Sequence, residues 1–436
     1  MTPQAIFPAT LFVPTLAAAR ARIAAVRPAD YARSRNAIEG AVTQLSPYIT
    51  HGFVSLPEVL AGVAARHRLD VQHKFVFELG WREYFRHVWQ HRGAAILQSL
   101  HEGLLPEHAY APELPADIRQ ARTGVPAIDT AVRTLYATGT LHNHARMWLA
   151  SYVVHLRKVH WRAGADWLVA HLLDGDLASN HLSWQWVAGT GSNKPYLFNA
   201  DNVARYAPAQ WHSAGSVIDA SYETLDAMAR SPRPLRAAPQ TEGVEEPALR
   251  SVPEGAAAAA SQSADVGGDV AADVAGRDVW LVHPWALGEP PGDLPRSSLR
   301  LGWWPTEHHN AWPWSSARWN FVGTRMAELA PRGWHASREE LARHLEGARS
   351  VQTLADPHVT ALLPQAVVQR APLRLFADVD RSCASFSQWW AHTTRGVKAL
   401  PDLPGLAALA ACGTAGPLFE QVFGAVTDYA SNERPS

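Results

Sequence analysis

From Ser231 to Arg277 the chain has no aromatic residue, while Pro, Gly, Ala, Ser and Glu accumulate and Ala256 to Ala260 form an unbroken run. Such a segment cannot bury enough apolar surface to offset the entropy of ordering it, so residues 231–277 are expected to form a flexible linker. This constraint divides the 436 residues into two parts, 1–230 and 278–436, each long enough to enclose a core of its own. Of the 18 Trp, eight precede the linker and ten follow it, so both parts must bury or use large aromatic surfaces.

The two parts differ in periodicity. Phe77, Trp81, Tyr84 and Val88 recur along one helix face, and Leu141, Ala145, Trp148, Leu149, Tyr152 and Leu156 do so again. Neither stretch contains Pro; the breakers fall outside, at Gly124-Val125-Pro126, at Gly139 and between Gly189 and Pro195. Residues 1–230 therefore read as an all-helical domain. After the linker, Asp278–His283, Leu299–Trp304, Ser350–Leu354 and Leu373–Val379 read as short buried strands, with helices expected over Ser316–Leu329, Arg338–Leu345 and Thr360–Arg370. Strands alternating with helices predict an α/β domain over 278–436 with a parallel, Rossmann-like sheet, although no glycine-rich dinucleotide fingerprint follows its first strand.

Several function classes are excluded early. Cys383 and Cys412 are too few for a disulfide framework or a four-thiolate metal site, and a reducing cytoplasm is the expected compartment. The stretch from Met1 to Arg22 is apolar, but Pro3, Pro8 and Pro14 interrupt it and no basic residue precedes it, which is not the order of a signal peptide. No run approaches the roughly 18 apolar residues of a membrane span. A net charge of −1 excludes a uniformly basic nucleic-acid binder, so any such binding must be local. Residues 1–230 carry 21 Lys+Arg against 18 Asp+Glu, or +3, and the remainder 18 against 22, or −4, which favours the first part for anions.

Three clusters carry chemistry. Asp174-Gly175-Asp176 leads into Asn180, Trp184 and Trp186; it reads as a helix N-terminus with Asp176 near the cap and the tryptophans in the core, and the paired carboxylates have too few further hard ligands nearby for a metal. Glu78, Trp81, Arg82 and Tyr84 fall within two helical turns, where Glu78 and Arg82 could also be an ordinary i,i+4 ion pair. His142, Asn143, His144, Arg146 and Met147 share one expected helix, with hydrogen-bonded histidines as the plainer alternative to a metal site.

Taken with Tyr31-Ala-Arg-Ser-Arg-Asn36 and Thr43-Gln-Leu-Ser-Pro-Tyr48, these clusters give five spaced motifs in order, and over about Tyr31 to Tyr222 the chain resembles the FAD-binding helical domain of DNA photolyases and cryptochromes. The resemblance implies that Tyr31, Thr43, Gln44, Leu45 and Ser46 hold the cofactor, the last four at its phosphates, where hydroxyls and amides near a helix start suit anionic oxygens. It implies further cofactor contacts from Arg82, from the Arg146–Asp174 charge pair, from Asp176, and from Asn180 facing the flavin ring. Glu78, Trp81, Trp186, Asn143 and Met147 match the lesion pocket, the two tryptophans stacking on a flipped-out pyrimidine dimer. The implied activity is that of a deoxyribodipyrimidine photo-lyase, a carbon–carbon lyase. Light drives an electron from reduced FAD to the dimer in DNA, the cyclobutane ring splits, and the electron returns.

Trp184 and Trp161 match the first two members of the family's electron-transfer chain. The third is missing: no Trp lies between Gln90 and Met147, and Tyr110 is either its substitute or a packed surface tyrosine. Gln44 stands where the family carries Arg, and the α/β domain follows the helical one instead of preceding it. That second domain is antenna-like by its alternation alone. It leaves room for a second, antenna chromophore of unspecified identity, although its tryptophans read first as packing. The alternative to repair is a cryptochrome-like flavin photoreceptor that signals without it.

Overall fold

The computed structural model describes residues 12–236, 242–255, 257–258 and 274–411. Before the linker the chain is helical: α1 (Leu16–Ala25), α2 (Pro28–Ser34), α3 (Ser46–Thr50), α4 (Leu56–Ala64), α5 (Lys74–Arg92), α6 (Ala116–Arg119), α7 (Pro126–Thr138), α8 (Asn143–Ser151), α9 (Trp161–His171), α10 (Leu177–Ala188), α11 (Ala200–Tyr206) and α12 (Tyr222–Arg230). Local chemistry sets the ends. Ser55 and Glu58 close a reciprocal capping box on α4, Pro126 opens α7, and the Asp176 carboxylate accepts the Ser179 N–H to cap α10. Trp184 of α10 packs so tightly on α9 that a Cβ at Gly164 would lie 2.3 Å from its ring, which is why a residue without a side chain is needed there.

After the linker stand β2 (Asp278–Val282), β3 (Leu299–Pro305), α13 (Thr306–Ala311), β4 (Trp314–Ser315), α14 (Ser316–Leu329), β5 (Gly333–Ala336), α15 (Arg338–His344), β6 (Ser350–Leu354), β7 (Val368–Arg370), α16 (Phe386–Thr393) and α17 (Pro404–Ala411); β1 (Leu249–Arg250) precedes them. A five-stranded sheet is parallel throughout, in the order β5-β3-β2-β6-β7, with Val279 paired to Leu299 and to Val351. The chain builds outward from β2 in one direction and then returns to add β6 and β7 on the other side, the doubly wound arrangement with its reversal point between β2 and β6.

Two expectations for this part are corrected. Leu373–Val379 is not a strand: the Leu375 and Phe376 N–H groups donate to the Glu83 carboxylate at 2.6 and 3.1 Å, so a side chain from α5 satisfies the backbone in place of a sheet neighbour. Thr360–Arg370 is not a helix either. Only Thr360–Leu362 makes a helical turn before Pro364, and Val368–Arg370 is the edge strand β7.

The hydrophobic cores do not divide at the linker. One cluster joins α1–α5, including Val59, Leu60, Phe75 and Val76, to Leu281, Trp303, Trp304, Trp319 and Leu375 of the α/β part. A second is built from Ile128, Leu135, Trp148, Val153, Leu168, Trp184 and Trp211 of α6–α12 and their connections, with Ile38, Leu235 and Val244 packed against it. Within the expected linker, Val244 N–H donates to Gln120 O at 2.8 Å, Glu246 pairs with Arg119 and accepts from Trp167 Nε1 at 3.0 Å, and β1 pairs antiparallel with β4. Residues 242–250 thus lie along both parts of the molecule. Among the described residues no helix is long and apolar enough to cross a membrane.

Candidate functional site

The expected site residues come from α2, the loop before α3, and helices α5, α8 and α10, and among them the structure brings Arg82, Arg146, Asp174 and Asp176 together at the turn that precedes α10. Arg146 on α8 grips the Asp174 carboxylate with one nitrogen at 2.8 and 2.9 Å from its two oxygens. Arg82 on α5 donates to Thr50 Oγ1 at 2.9 Å, and Thr50 in turn donates to Asp174 O at 3.4 Å. Burial lowers the Arg82 guanidinium, against the opposing pull of Asp176 and Asp174, so charged groups of both signs share one low-dielectric space. Glu78 is not paired with Arg82 as its spacing allowed. Instead Lys74 reaches it at 2.8 Å and Arg35 at 3.4 Å, tying α5 to the end of α2.

Tyr31 packs edge-on to Phe75, and burial raises its phenol well above the ordinary value. Thr43 Oγ1 accepts the Leu45 N–H at 3.3 Å, while Leu45 is buried and Ser46 starts α3 half-buried. Gln44 is exposed with φ of +52°, and Arg22 from α1 donates to its amide oxygen. A cation is therefore present beside the position where the family's Arg is missing, delivered by a residue with no local signal in the sequence. Asn180 is buried, its amide donating to Ala165 O at 2.9 Å.

The histidines of the third cluster are structural in part. His144 bridges Asn36 O at 2.7 Å and the Tyr196 hydroxyl at 3.1 Å, the hydrogen-bonded role that its sequence context allowed. His142 caps α8 through Nδ1, and burial, with His144 second, lowers it to about 4. Its Nε2 is buried without a partner. Asn143 is exposed and its amide lies 3.7 Å from Met147 Sδ on the same helix face.

The two candidate stacking tryptophans are treated differently. Trp186 is 42 % exposed, with Tyr196 beside it and the exposed Lys194 on the loop that the Ser192 hydroxyl ties to Trp186 O. Trp81 is stacked face to face on Phe386 of α16, with centroids 4.1 Å apart and planes 12° from parallel. No ring contact among the described residues joins Trp81 to Trp186. Trp184 is buried on Gly164, and Trp161 donates to Ser99 Oγ at 2.9 Å. Trp161, His160 and Tyr110 line one cavity of about 340 Å³, which puts Tyr110 on the Trp161 side of the molecule.

Sequence reasoning missed what stands behind the Asp174-Gly175-Asp176 turn. Arg318 of α14 donates to Gly175 O at 2.6 Å and to Val169 O at 3.3 Å, lies 4.0 Å over Trp314, and is lowered to about 9 by burial. A Cβ at Gly175 would sit 2.4 Å from the Val169 carbonyl oxygen as well as 2.5 Å from the Arg318 nitrogen, and because the backbone oxygen cannot give way this turn also requires glycine. Arg86 and the pair Asp356 and His358 join it from α5 and from the loop after β6. Their partners are far apart in sequence, and no periodicity announces them. Trp303, Trp304, Trp314 and Trp319 are at most 1 % exposed and make core, the plainer of their two readings.

The donor set suits FAD. Arg82 and Arg146 are half-buried and cationic, Thr43 and Ser46 present hydroxyls, and His142 Nε2 and Asp176 Oδ2 are buried atoms still lacking hydrogen-bond partners. No group of three or more His, Cys, Asp or Glu among the described residues forms a metal set.

Residues 75–220 match the family model described as the FAD binding domain of DNA photolyase. The chain is 32 % identical over 195 residues to a deoxyribodipyrimidine photo-lyase of Synechococcus sp., covering 41 % of this chain and 39 % of that one. It is also 32 % identical over 173 residues to a cryptochrome DASH of Synechocystis sp., covering 38 % and 35 %. The crystal structure of a Synechocystis sp. cryptochrome aligns at 30 % identity over 47 % of this chain and 46 % of that chain, with a TM-score of 0.40. The chain thus spans well under half the length of these curated relatives. Within the helical part, residues 75–220 are similar to the FAD binding domain of DNA photolyase, and the curated relatives include both photo-lyases and cryptochromes.

Proposed function

We propose that the protein is a light-driven flavoprotein that repairs cyclobutane pyrimidine dimers in DNA. The observation that carries this reading is the Arg146–Asp174 pair set beside Arg82; Asn143 and Trp186 are exposed, and Met147 is half-buried on the same helix as Arg146. FAD, when bound, supplies the photochemistry: light absorption and one-electron transfer. Arg82, Arg146, Asp174, Asp176 and Asn180 would hold its ring system, and Thr43, Ser46 and the Arg22-supported Gln44 its phosphates. Arg146 neutralises Asp174 at 2.8 Å, so the site can accept a negatively charged ring without two unpaired carboxylates facing it. Trp186 offers a half-exposed face for an unstacked base, and Lys194 beside it offers a cation for the strand.

A second reading, a photoreceptor without repair, draws support from one contact: Phe386 covers one face of Trp81, leaving less of that ring for a base. The test is to purify the full chain, record its visible spectrum, reduce it chemically, and illuminate it with dimer-containing oligonucleotides. Light-dependent loss of dimers supports repair; bound flavin with no dimer loss leaves the receptor; no flavin removes both. Trp186→Ala should weaken lesion binding and leave FAD in place, and loss of FAD as well would make Trp186 structural.

A further inference from the structure

Open parallel sheets take their ligands in the crevice at the carboxyl ends of the strands where the winding reverses. Here that point lies between β2 and β6, and the chain leaves those strands as His283-Pro284-Trp285 and Asp356-Pro357-His358. His283 ties the two exits together, its Nε2 hydrogen-bonded to Leu354 O at 2.8 Å and its Nδ1 accepting from Trp285 N–H at 3.2 Å. The crevice holds protein. Trp285 and His358 stack at 4.5 Å and 7°, and the space left beside His358 and Gly175 is about 10 Å³, room for one water.

What enters this crevice is the helical part of the same chain. Arg86 donates to Asp356 Oδ2 at 2.9 Å, and its other terminal nitrogen lies 3.9 Å from Asp176 Oδ2. His358 Nε2 accepts the Leu177 N–H at 3.3 Å, one of the orphan donors at the start of α10. The ring proton therefore sits on Nδ1, donated to Asp356 Oδ1 at 2.6 Å. Nε2 also stands 4.0 Å from Asp176 Oδ2, the buried carboxylate oxygen with no hydrogen bond.

We infer that Asp356 and His358 are positioning residues for the Asp174-Gly175-Asp176 turn, acting through Arg86 and the first N–H of α10, so that the reversal-point crevice of the α/β part serves as a mount for the flavin-side carboxylates. The inference rests on the reading of that turn as the FAD site. It gives the relocated α/β part a task within the cofactor site, independent of any pigment of its own.

The test uses the full chain reconstituted with FAD, with affinity read from quenching of flavin fluorescence, ring orientation from circular dichroism of the visible flavin band, and folding from the melting curve. His358→Phe keeps the stack on Trp285 and removes both nitrogens; Asp356→Asn keeps the shape and removes the charge. Each is expected to weaken FAD by about tenfold or more, the scale of losing a residue that orients a ligating group, and to change the visible dichroism. Gln can place its amide oxygen near Nε2 and Asn only near Nδ1, so His358→Gln should stay within about threefold of wild type while His358→Asn does not. Wild-type affinity and dichroism in His358→Phe and Asp356→Asn would overturn the inference. Should His358→Phe fail to fold, equal affinities of the Gln and Asn variants would overturn it as well. A wild-type chain that takes up no FAD would instead overturn the reading of the site, and the inference with it, a result distinguishable because it needs no variant.

Discussion

Replacing Arg86 by Met should be among the most costly single changes at the contact between the helical and α/β parts. Arg86 is 15 % exposed and Asp356 5 %, at 2.9 Å, with Asp176 at 3.9 Å. At an effective dielectric constant of about 20 the direct attractions are about 6 kcal/mol to Asp356 and about 4 to Asp176. Recovering the desolvation of the guanidinium offsets much of this, but two buried carboxylates are left behind without their cation. Breaking such a pair from one side costs about 3–5 kcal/mol, and the lower end applies because Asp356 keeps the His358 N–H and ring N–H. Removing both charges, as Arg86→Met with Asp356→Leu, should cost less than the sum of the two single changes, since the carboxylate that loses its cation is itself gone, although the His358 N–H groups then lose their acceptor and Asp176 stays without Arg86. Urea unfolding of the full chain at pH 7, followed by Trp fluorescence and far-ultraviolet dichroism, measures the cycle. A single variant within about 1 kcal/mol of wild type, or strictly additive losses in the double variant, would refute the assignment of this contact as a buried, coupled pair.

Three further outcomes are expected. His51, between the carbonyls of Leu173 and Pro284, and His155 are buried and lowered by burial to about 3 and about 4. The unfolded chain binds these protons first, so the stability the rings contribute is complete above pH about 6.5 and falls on acidification, by about 2 kcal/mol per ring at pH 5; a urea midpoint that does not fall between pH 7 and pH 5 would contradict this. Gly164→Leu forces side-chain atoms into the Trp184 ring 2.3 Å away, and a melting temperature lowered by the equivalent of about 1–3 kcal/mol or more is expected, with red-shifted Trp emission. Arg22→Ala removes the cation at Gln44 and should weaken FAD about fivefold to tenfold with little change in the melting temperature, an unchanged affinity arguing against a phosphate contact there.

The helices that carry the site were legible because their chemistry is local. The Asp176 cap, the Pro126 start and the apolar face of α5 are all set by neighbours within a turn or two. The parallel sheet was legible from the buried runs around Trp280 and Trp303, whereas Leu373–Val379 deceived because its backbone is satisfied by Glu83, nearly 300 residues earlier. Separation along the chain also hid Arg22 beside Gln44, Arg318 on Gly175, and Arg86 on Asp356: a charged side chain whose partner lies beyond its own helix reads as a surface residue. Trp81 was legible as an aromatic of the α5 face, but its neighbour Phe386 was not, so the covering of that ring became visible only in the folded chain.

The way the two apolar cores use the chain has a consequence during synthesis. The core of α6–α12 is complete once Val244 has left the ribosome, whereas α1–α5 share theirs with Trp303, Leu375 and Leu406 and stay unfinished until Leu406 is out. The middle of the protein is thus free to fold first and the N-terminal helices last, the reverse of the usual order of domain completion. For that interval Phe75, Val76 and Val59 are exposed apolar surface, the stretch for which a nascent-chain chaperone has the most to do.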